Sequence, residues 1–298
     1  TVNVSSTLSN SCNATGTITI PNASKTWSAA NSDWSVASDW KPSGVPDATK
    51  CVIIKSPVTI NSLTSDYQAF AKKVKIEAPG TLTVKSNATY ASSLTVSEEF
   101  INNNTAENSV VLENNTSLKQ LSGSTGINHG NITVHRNLDF TGARNEYNYL
   151  STPVTFASGQ SYKTIYPGVT AANYPSVLYY VESTRYFLQS SGANILGRSS
   201  AVKEAGTLSG ITNNRAEFKG VPYVGDFTYP LAHSSTGLGF NLVGNPYPSN
   251  VDLQVLYSYN SSQIEPDFRF WDNKANDNGG QQHGAGYNGR AYARYNAV

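Results

Sequence analysis

Three tryptophans, Trp27, Trp34 and Trp40, fall within fourteen residues, with Asp33 and Asp39 directly before the second and third. Exposed indole faces stack on sugar rings, so the trio is a candidate platform for surface glycans. The same rings would serve equally as a plug over the open end of a stacked-strand domain, whose first layer needs cover. A second chemistry is offered by Trp271-Asp272-Asn273-Lys274-Ala275-Asn276-Asp277-Asn278-Gly279-Gly280. Calcium takes about six to eight hard oxygens, which a D-x-[DN]-x-[DN]-G spacing begins to supply. Lys274 stands at the third position and repels a cation. What remains is a divergent calcium site on Asp272 and Asp277, or a plain glycine-rich turn.

Acid–base chemistry finds little to work with. Glycoside cleavage needs two carboxylates flanking one bond, and Glu98-Glu99 is the only adjacent acidic pair. In a strand, neighbours point to opposite faces, so these two would not share a substrate. Asp226, Asp252, Glu265 and Asp267 are scattered, and His129, His135, His233 and His283 show no metal-ligand spacing. Exposed loop positions are expected for the four histidines. Nucleophile-elbow, zinc-protease, phosphate-loop and dinucleotide motifs are all missing from the sequence. No catalytic residue is assigned and a non-enzymatic protein is expected. Cys12 and Cys51 are the only cysteines. A disulfide between them would close a loop worth roughly 4 kcal/mol in chain entropy; the alternative is two buried thiols.

Such residues need elements to hold them, and the chain is patterned almost entirely for strands. Thr17-Ile18-Thr19-Ile20, Val52-Ile53-Ile54, Val58-Thr59-Ile60, Val74-Lys75-Ile76, Leu82-Thr83-Val84 and Ile132-Thr133-Val134 alternate or run apolar. Ile54, Val74, Leu94, Leu112 and Ile132 recur every 18 to 20 residues. Ile60, Leu82, Ile101, Leu118 and Leu138 fall between them. A period near 20 with two strands per repeat predicts a β-solenoid in which the first set stacks rung on rung. Asparagine-rich corners such as Asn102-Asn103-Asn104 and Asn114-Asn115 suit it, because Asn tolerates left-handed backbone. Beyond about residue 145 the chain turns rich in Tyr and Pro, which predicts an antiparallel β-sandwich. The expected division is 1–144, a Trp-rich cap plus solenoid, and 145–298, a sandwich. One short helix is expected at Val251–Tyr259 capped by Asn250, and a long surface loop at 273–290.

Composition narrows the setting. Lys+Arg is 21 against 20 Asp+Glu, a net charge of +1, which argues against nucleic-acid binding by bulk charge. Only 14% of residues are charged, and 31 Asn with abundant Ser and Thr supply the polarity instead. No apolar run approaches the ~18 residues of a membrane helix, so no membrane insertion is expected. A wet, weakly ionic surface fits a secreted β-protein. Thr1 opens without a leader-like stretch, so a mature or excised segment is expected.

Two stretches carry a resemblance. One runs from Trp34 through Trp40-Lys41-Pro42-Ser43-Gly44-Val45-Pro46-Asp47 into Val52-Ile53-Ile54. The other is Gly239-Phe240-Asn241-Leu242-Val243-Gly244-Asn245-Pro246-Tyr247-Pro248-Ser249, followed by Phe270-Trp271-Asp272. Together they resemble the large surface and secreted proteins of Bacteroidetes, flavobacteria especially, that leave the cell by the type IX secretion system. The resemblance implies periplasmic transit, an extracellular or cell-surface location, and adhesin-like, structural or gliding-related roles. It also implies a translocon or shuttle as partner, recognising a sorting domain beyond Val298, and no catalytic residues to transfer. The alternative is a carbohydrate-binding accessory region of a polysaccharide-degrading protein. Read physically, Gly244–Ser249 is a rigid strand-to-helix corner, with a cis proline a possibility of its two X-Pro bonds.

Overall fold

In the computed structural model of the chain, residues 24–29, 32–121, 128–138, 147–211, 213–271 and 292–298 are described. The alternating stretches form strands as their pattern dictates, and the chain winds them into turns. A cap contains β1 (Ser24–Trp27), β2 (Ser32–Asp33) and β3 (Trp40–Lys41). The first full turn is β4 (Cys51–Ile54), β5 (Val58–Asn61) and β6 (Tyr67–Ala71). The second is β7 (Lys73–Ile76), β8 (Leu82–Lys85) and β9 (Ser92–Val96), and the third is β10 (Phe100–Asn102), β11 (Val110–Leu112) and β12 (Thr116–Gln120). A last strand, β13 (Ile132–Asn137), begins a further turn. The solenoid of about four turns is thus real.

Its rungs, however, carry three strands, not two. β4, β7 and β10 pair in parallel on one face, β5, β8, β11 and β13 on a second, and β6, β9 and β12 on a third. The ladder Ile60–Val84–Leu112–Val134 advances by 24, 28 and 22 residues. The expected stack of Ile54, Val74, Leu94, Leu112 and Ile132 mixes all three faces. Ile54 stacks on Ile76, Val74 on Val52 and Phe100, and Leu94 on Ala69 and Leu118. Alternation tells inward from outward but not which sheet a strand joins, so similar strands on different faces imitate a shorter period.

The interior is apolar and closed. Ile54, Ile60, Ile76, Val84, Leu94 and Val134 are fully buried, each contributing about 1.5–3 kcal/mol by burial. Asparagines tie the corners. Asn87 Oδ1 accepts the N–H groups of Thr89 (2.8 Å) and Tyr90 (2.7 Å). Asn102 donates to Ser109 Oγ at 2.9 Å and to the Asn131 carbonyl at 2.7 Å. Among the described residues, cis peptide bonds precede Pro42 and Pro79, and both X-Pro bonds of the Gly244–Ser249 corner are trans.

At the N-terminal end β3 pairs antiparallel with β1, setting Trp40 opposite Trp27, which itself lies in register with Ile54. At the other end the solenoid runs into the second half of the chain. That half begins with β14 (Tyr147–Leu150), β15 (Val154–Phe156), β16 (Val177–Val181), β17 (Tyr186–Gln189), β18 (Ser200–Lys203) and β19 (Arg215–Pro222). β19 lies antiparallel on β13, placing Phe218 opposite Val134, and β15 adds to its far edge. The second face is therefore one seven-stranded sheet shared by residues on both sides of the expected 144/145 division. Strands β14, β18, β16 and β17 make a separate antiparallel sheet. The helix α1 (Leu253–Asn260) starts two residues later than expected, because Asp252 rather than Asn250 caps it. Asp252 Oδ1 accepts from Gln254 N (2.9 Å) and Val255 N (3.1 Å), satisfying two orphan donors. The hairpin of β20 (Asp267–Trp271) and β21 (Tyr292–Asn296) ends the fold.

Candidate binding cleft

The tryptophan trio is not a platform. Trp27, Trp34 and Trp40 are each fully buried, so no indole face meets solvent. Trp40 sits edge-on to both partners, at ring-centre distances of 5.0 Å to Trp27 and 4.8 Å to Trp34. Its Nε1 donates to the Trp34 carbonyl at 2.8 Å, and Trp27 Nε1 to the Pro57 carbonyl at 3.0 Å. The three large rings pack on one another over the first rung, beside β1 and β2, and so fill the N-terminal end of the described solenoid as a plug.

Cys51 opens β4 as a half-buried free thiol. Cys12 lies outside the described residues, so the expected disulfide is not among the bonds seen. Asp272 and Asp277 also lie outside them, as does the expected loop at 273–290.

Several of the acids turn out to be occupied. Glu98 and Glu99 do not diverge as a strand would make them. They sit in the corner after β9, and each places a carboxylate oxygen 3.2 Å from Lys73 Nζ. Asp267 is gripped by Arg294 (2.8 Å) and Arg269 (3.0 Å), and the Arg294 hydrogen bond foremost holds its carboxyl below the ordinary range. Glu182 is buried in the β16–β17 connection and receives the N–H groups of Gly239 (2.9 Å) and Ser234 (3.0 Å). Those bonds, Gly239 first, push its pKa down.

His135 departs most from expectation. It is buried on the outer side of β13, with Nδ1 2.8 Å from Glu113 and Nε2 3.5 Å from the cross-strand Glu217. Glu217 is also bound by Arg215 at 2.5 Å. Residues 113, 135 and 217 are far apart in sequence, so no spacing could reveal this clamp on the seam. Among the described residues no group of three His, Cys, Asp or Glu side chains is placed to hold a metal ion.

What sequence reasoning missed is a cleft of about 220 Å³ beside the Gly244–Ser249 corner. One wall is the end of β12, at Lys119 and Gln120; another is the turn Tyr223–Asp226; the third is Tyr247–Pro248–Ser249. The corner is stitched to the solenoid by Leu118 N, which donates to the Pro248 carbonyl at 2.7 Å. Asn245 shapes the corner itself. Its Oδ1 accepts Tyr247 N at 3.0 Å and its Nδ2 donates to the Ser249 carbonyl at 2.5 Å.

Two tyrosines line this cleft. Tyr223 and Tyr247 lie with ring centres 5.5 Å apart, tilted by 54°. Tyr247 Oη donates to the Gly225 carbonyl at 2.7 Å and Tyr223 Oη to the Asp226 carbonyl at 3.0 Å. Both rings are therefore fixed at their tips as well as at their backbones. Burial, then the neighbouring Tyr223 and Asp226, raises the Tyr247 pKa, so its hydroxyl stays a donor at neutral pH. The cleft thus presents held aromatic surface with an exposed carboxylate at its rim, an arrangement for binding.

An all-β solenoid, plugged by tryptophans at one end and continued by an antiparallel sheet at the other, defines the class of protein. The chain belongs to the family described as a domain of unknown function, DUF8693, whose model matches residues 26–298. Comparison with curated proteins and with solved structures finds no match.

Proposed function

We propose that this chain is a non-enzymatic, adhesin-like binding module of a secreted or cell-surface protein, working outside the cell after export by the type IX route. The observation that carries the reading is the pairing of a filled solenoid with a held, open aromatic cleft at its flank. A filled interior makes a stiff support, and binding residues on loops gain precision from a rigid scaffold. Four of the acids weighed for hydrolysis are held by their neighbours, which supports binding over turnover. Asp252 caps α1, Asp267 holds two arginines, and Glu98 and Glu99 hold Lys73. Export and a translocon or shuttle partner rest on the resemblance of Gly239–Ser249 and of the Trp34–Ile54 opening. The cleft gives the carbohydrate-binding alternative its own footing, since its aromatic wall replaces the buried tryptophans.

Beads coated with the purified chain test the reading against bacterial and plant cell surfaces. Retention several-fold above uncoated beads, with no soluble sugar released, is the expected result. Retention equal to uncoated beads, or steady release of sugar, would overturn it.

A further inference from the structure

We infer that the cleft binds one ring of a neutral saccharide, with Tyr223 and Tyr247 as its apolar platform and the Asp226 carboxylate as acceptor for its hydroxyls. The inference rests on the binding-module reading and names the ligand class of that site.

The chemistry left unspent in the cleft selects the ligand. Both tyrosine hydroxyl hydrogens are committed to backbone carbonyls. Gln120 is consumed as well: its Nε2 donates to the Glu98 carbonyl (3.0 Å) and to Asn128 Oδ1 (2.9 Å), and its Oε1 accepts from Asn128 (2.6 Å). The Asp226 carboxylate accepts no side-chain or backbone hydrogen bond among the described residues, and it is exposed at the cleft rim. A saccharide matches this set, because its hydroxyls donate to a carboxylate while its C–H face lies on an aromatic ring. A proline-rich peptide would also stack on paired aromatic rings, but with the tyrosine hydroxyls taken its carbonyls are left with Lys119 as the one charged donor on the walls, and it offers the Asp226 carboxylate few donors in return.

Charge and size point the same way. Lys119 and Asp226 place one cation and one anion on the walls, so neither an anionic nor a cationic ligand finds a net complement. A volume of about 220 Å³ falls below the ~300 Å³ at which drug-sized pockets begin, which suits a single sugar ring with the rest of the chain leaving along the surface. Because the two rings are already fixed, binding costs little side-chain ordering.

The test titrates ¹⁵N-labelled chain separately with cellohexaose, xylohexaose, mannohexaose and laminarihexaose, and with a proline-rich peptide, following amide shifts. Asp226→Asn is the principal variant, since an exposed carboxamide leaves the fold intact, and Tyr223→Ala is the second. The expected result is saturable shifts with at least one hexaose, clustered at 119–121, 223–226 and 247–249. Asp226→Asn weakens binding at least fivefold with an unchanged thermal midpoint, and Tyr223→Ala abolishes it. Silence of those amides with every hexaose, unaltered affinity in both variants, or a response to the peptide alone would overturn the inference. Beads retained on cells by a chain whose cleft ignores all four hexaoses would overturn it while leaving the adhesin-like reading. A cleft that binds a hexaose on a chain whose beads are not retained would do the reverse.

Discussion

The solenoid and the C-terminal stretch from Tyr223 are held by different forces. From Val52 to Val134 inward side chains are buried rung after rung. In α1 no residue is buried, and every residue of β21 is exposed. Directional bonds replace burial there. Asn241 both donates to and accepts from Ala232 at 2.9 Å, Asn245 ties its own corner, and Asp252 caps the helix. The comparison teaches where each kind of region belongs. Burial gives a cooperative support, whereas side-chain-to-backbone bonds give loops a defined shape without embedding them. Binding surfaces are drawn from the second kind.

The largest expected break in the comparison is at the plug. Trp40→Ala empties a fully buried site between two indoles and is expected to cost about 3–5 kcal/mol in urea unfolding. Tyr259→Ala, at an 84% exposed helix position, is expected to stay within about 0.5 kcal/mol. Equal losses would erase the distinction.

A smaller effect tests whether β15 is coupled to the solenoid through β19. A Cβ on Gly220 would stand 1.8 Å from the Thr155 carbonyl oxygen, so β15 and β19 must part to admit it. Gly220→Ala is expected to lower global stability by about 1–3 kcal/mol, read from the same urea transition. A loss confined to β15, with the transition midpoint unmoved, would show that β15 is not coupled to the core.

Smaller again is the helix cap. Asp252→Ala is expected to cost α1 about 1 kcal/mol. Amide shifts over 253–260 would move toward coil while the global midpoint holds, because no residue of α1 is fully buried. A drop in the midpoint would show that α1 is coupled to the core.

The smallest effect is set by pH. The Glu182 carboxyl lies below its ordinary 4.5, so the stability it lends is complete above that value and is lost as pH falls through the lowered one. Acid titration is expected to release the Ser234 and Gly239 amides together, and Glu182→Gln to remove that step. Release of those amides above pH 5 would contradict the assignment.

Much of this fold can be read from side-chain pattern, because alternation and corner asparagines report directly on strands and turns. Val58-Thr59-Ile60 and Leu82-Thr83-Val84 are strands for the reason their sequence states, inward apolar and outward polar. The number of faces was not legible, since Leu94 and Val74 carry the same local pattern and differ only in which neighbour they meet. Nor was the seam between β13 and β19, which joins residues about eighty apart by backbone hydrogen bonds that leave no side-chain signature. The tryptophans announced themselves by spacing, but spacing does not distinguish plug from platform. The cleft was hidden for the opposite reason. Tyr223, Tyr247 and Lys119 are unremarkable where they stand in sequence, and the Leu118–Pro248 and Tyr247–Gly225 bonds bring their walls together. The Gly239–Ser249 stretch did stand out; it was read as a strand-to-helix corner, and it leads from a single bridge residue, Val243, toward α1 while forming one wall of the cleft.

Native-state hydrogen exchange tests the central contrast most directly. The account predicts that amides of 52–54, 74–76, 82–84, 94–96 and 132–136 exchange only through one slow, cooperative opening, and that 216–221 join that unit while 253–260 exchange orders of magnitude faster. Fast exchange at 216–221 in step with the helix, or protection of 253–260 equal to that of the rungs, would contradict it.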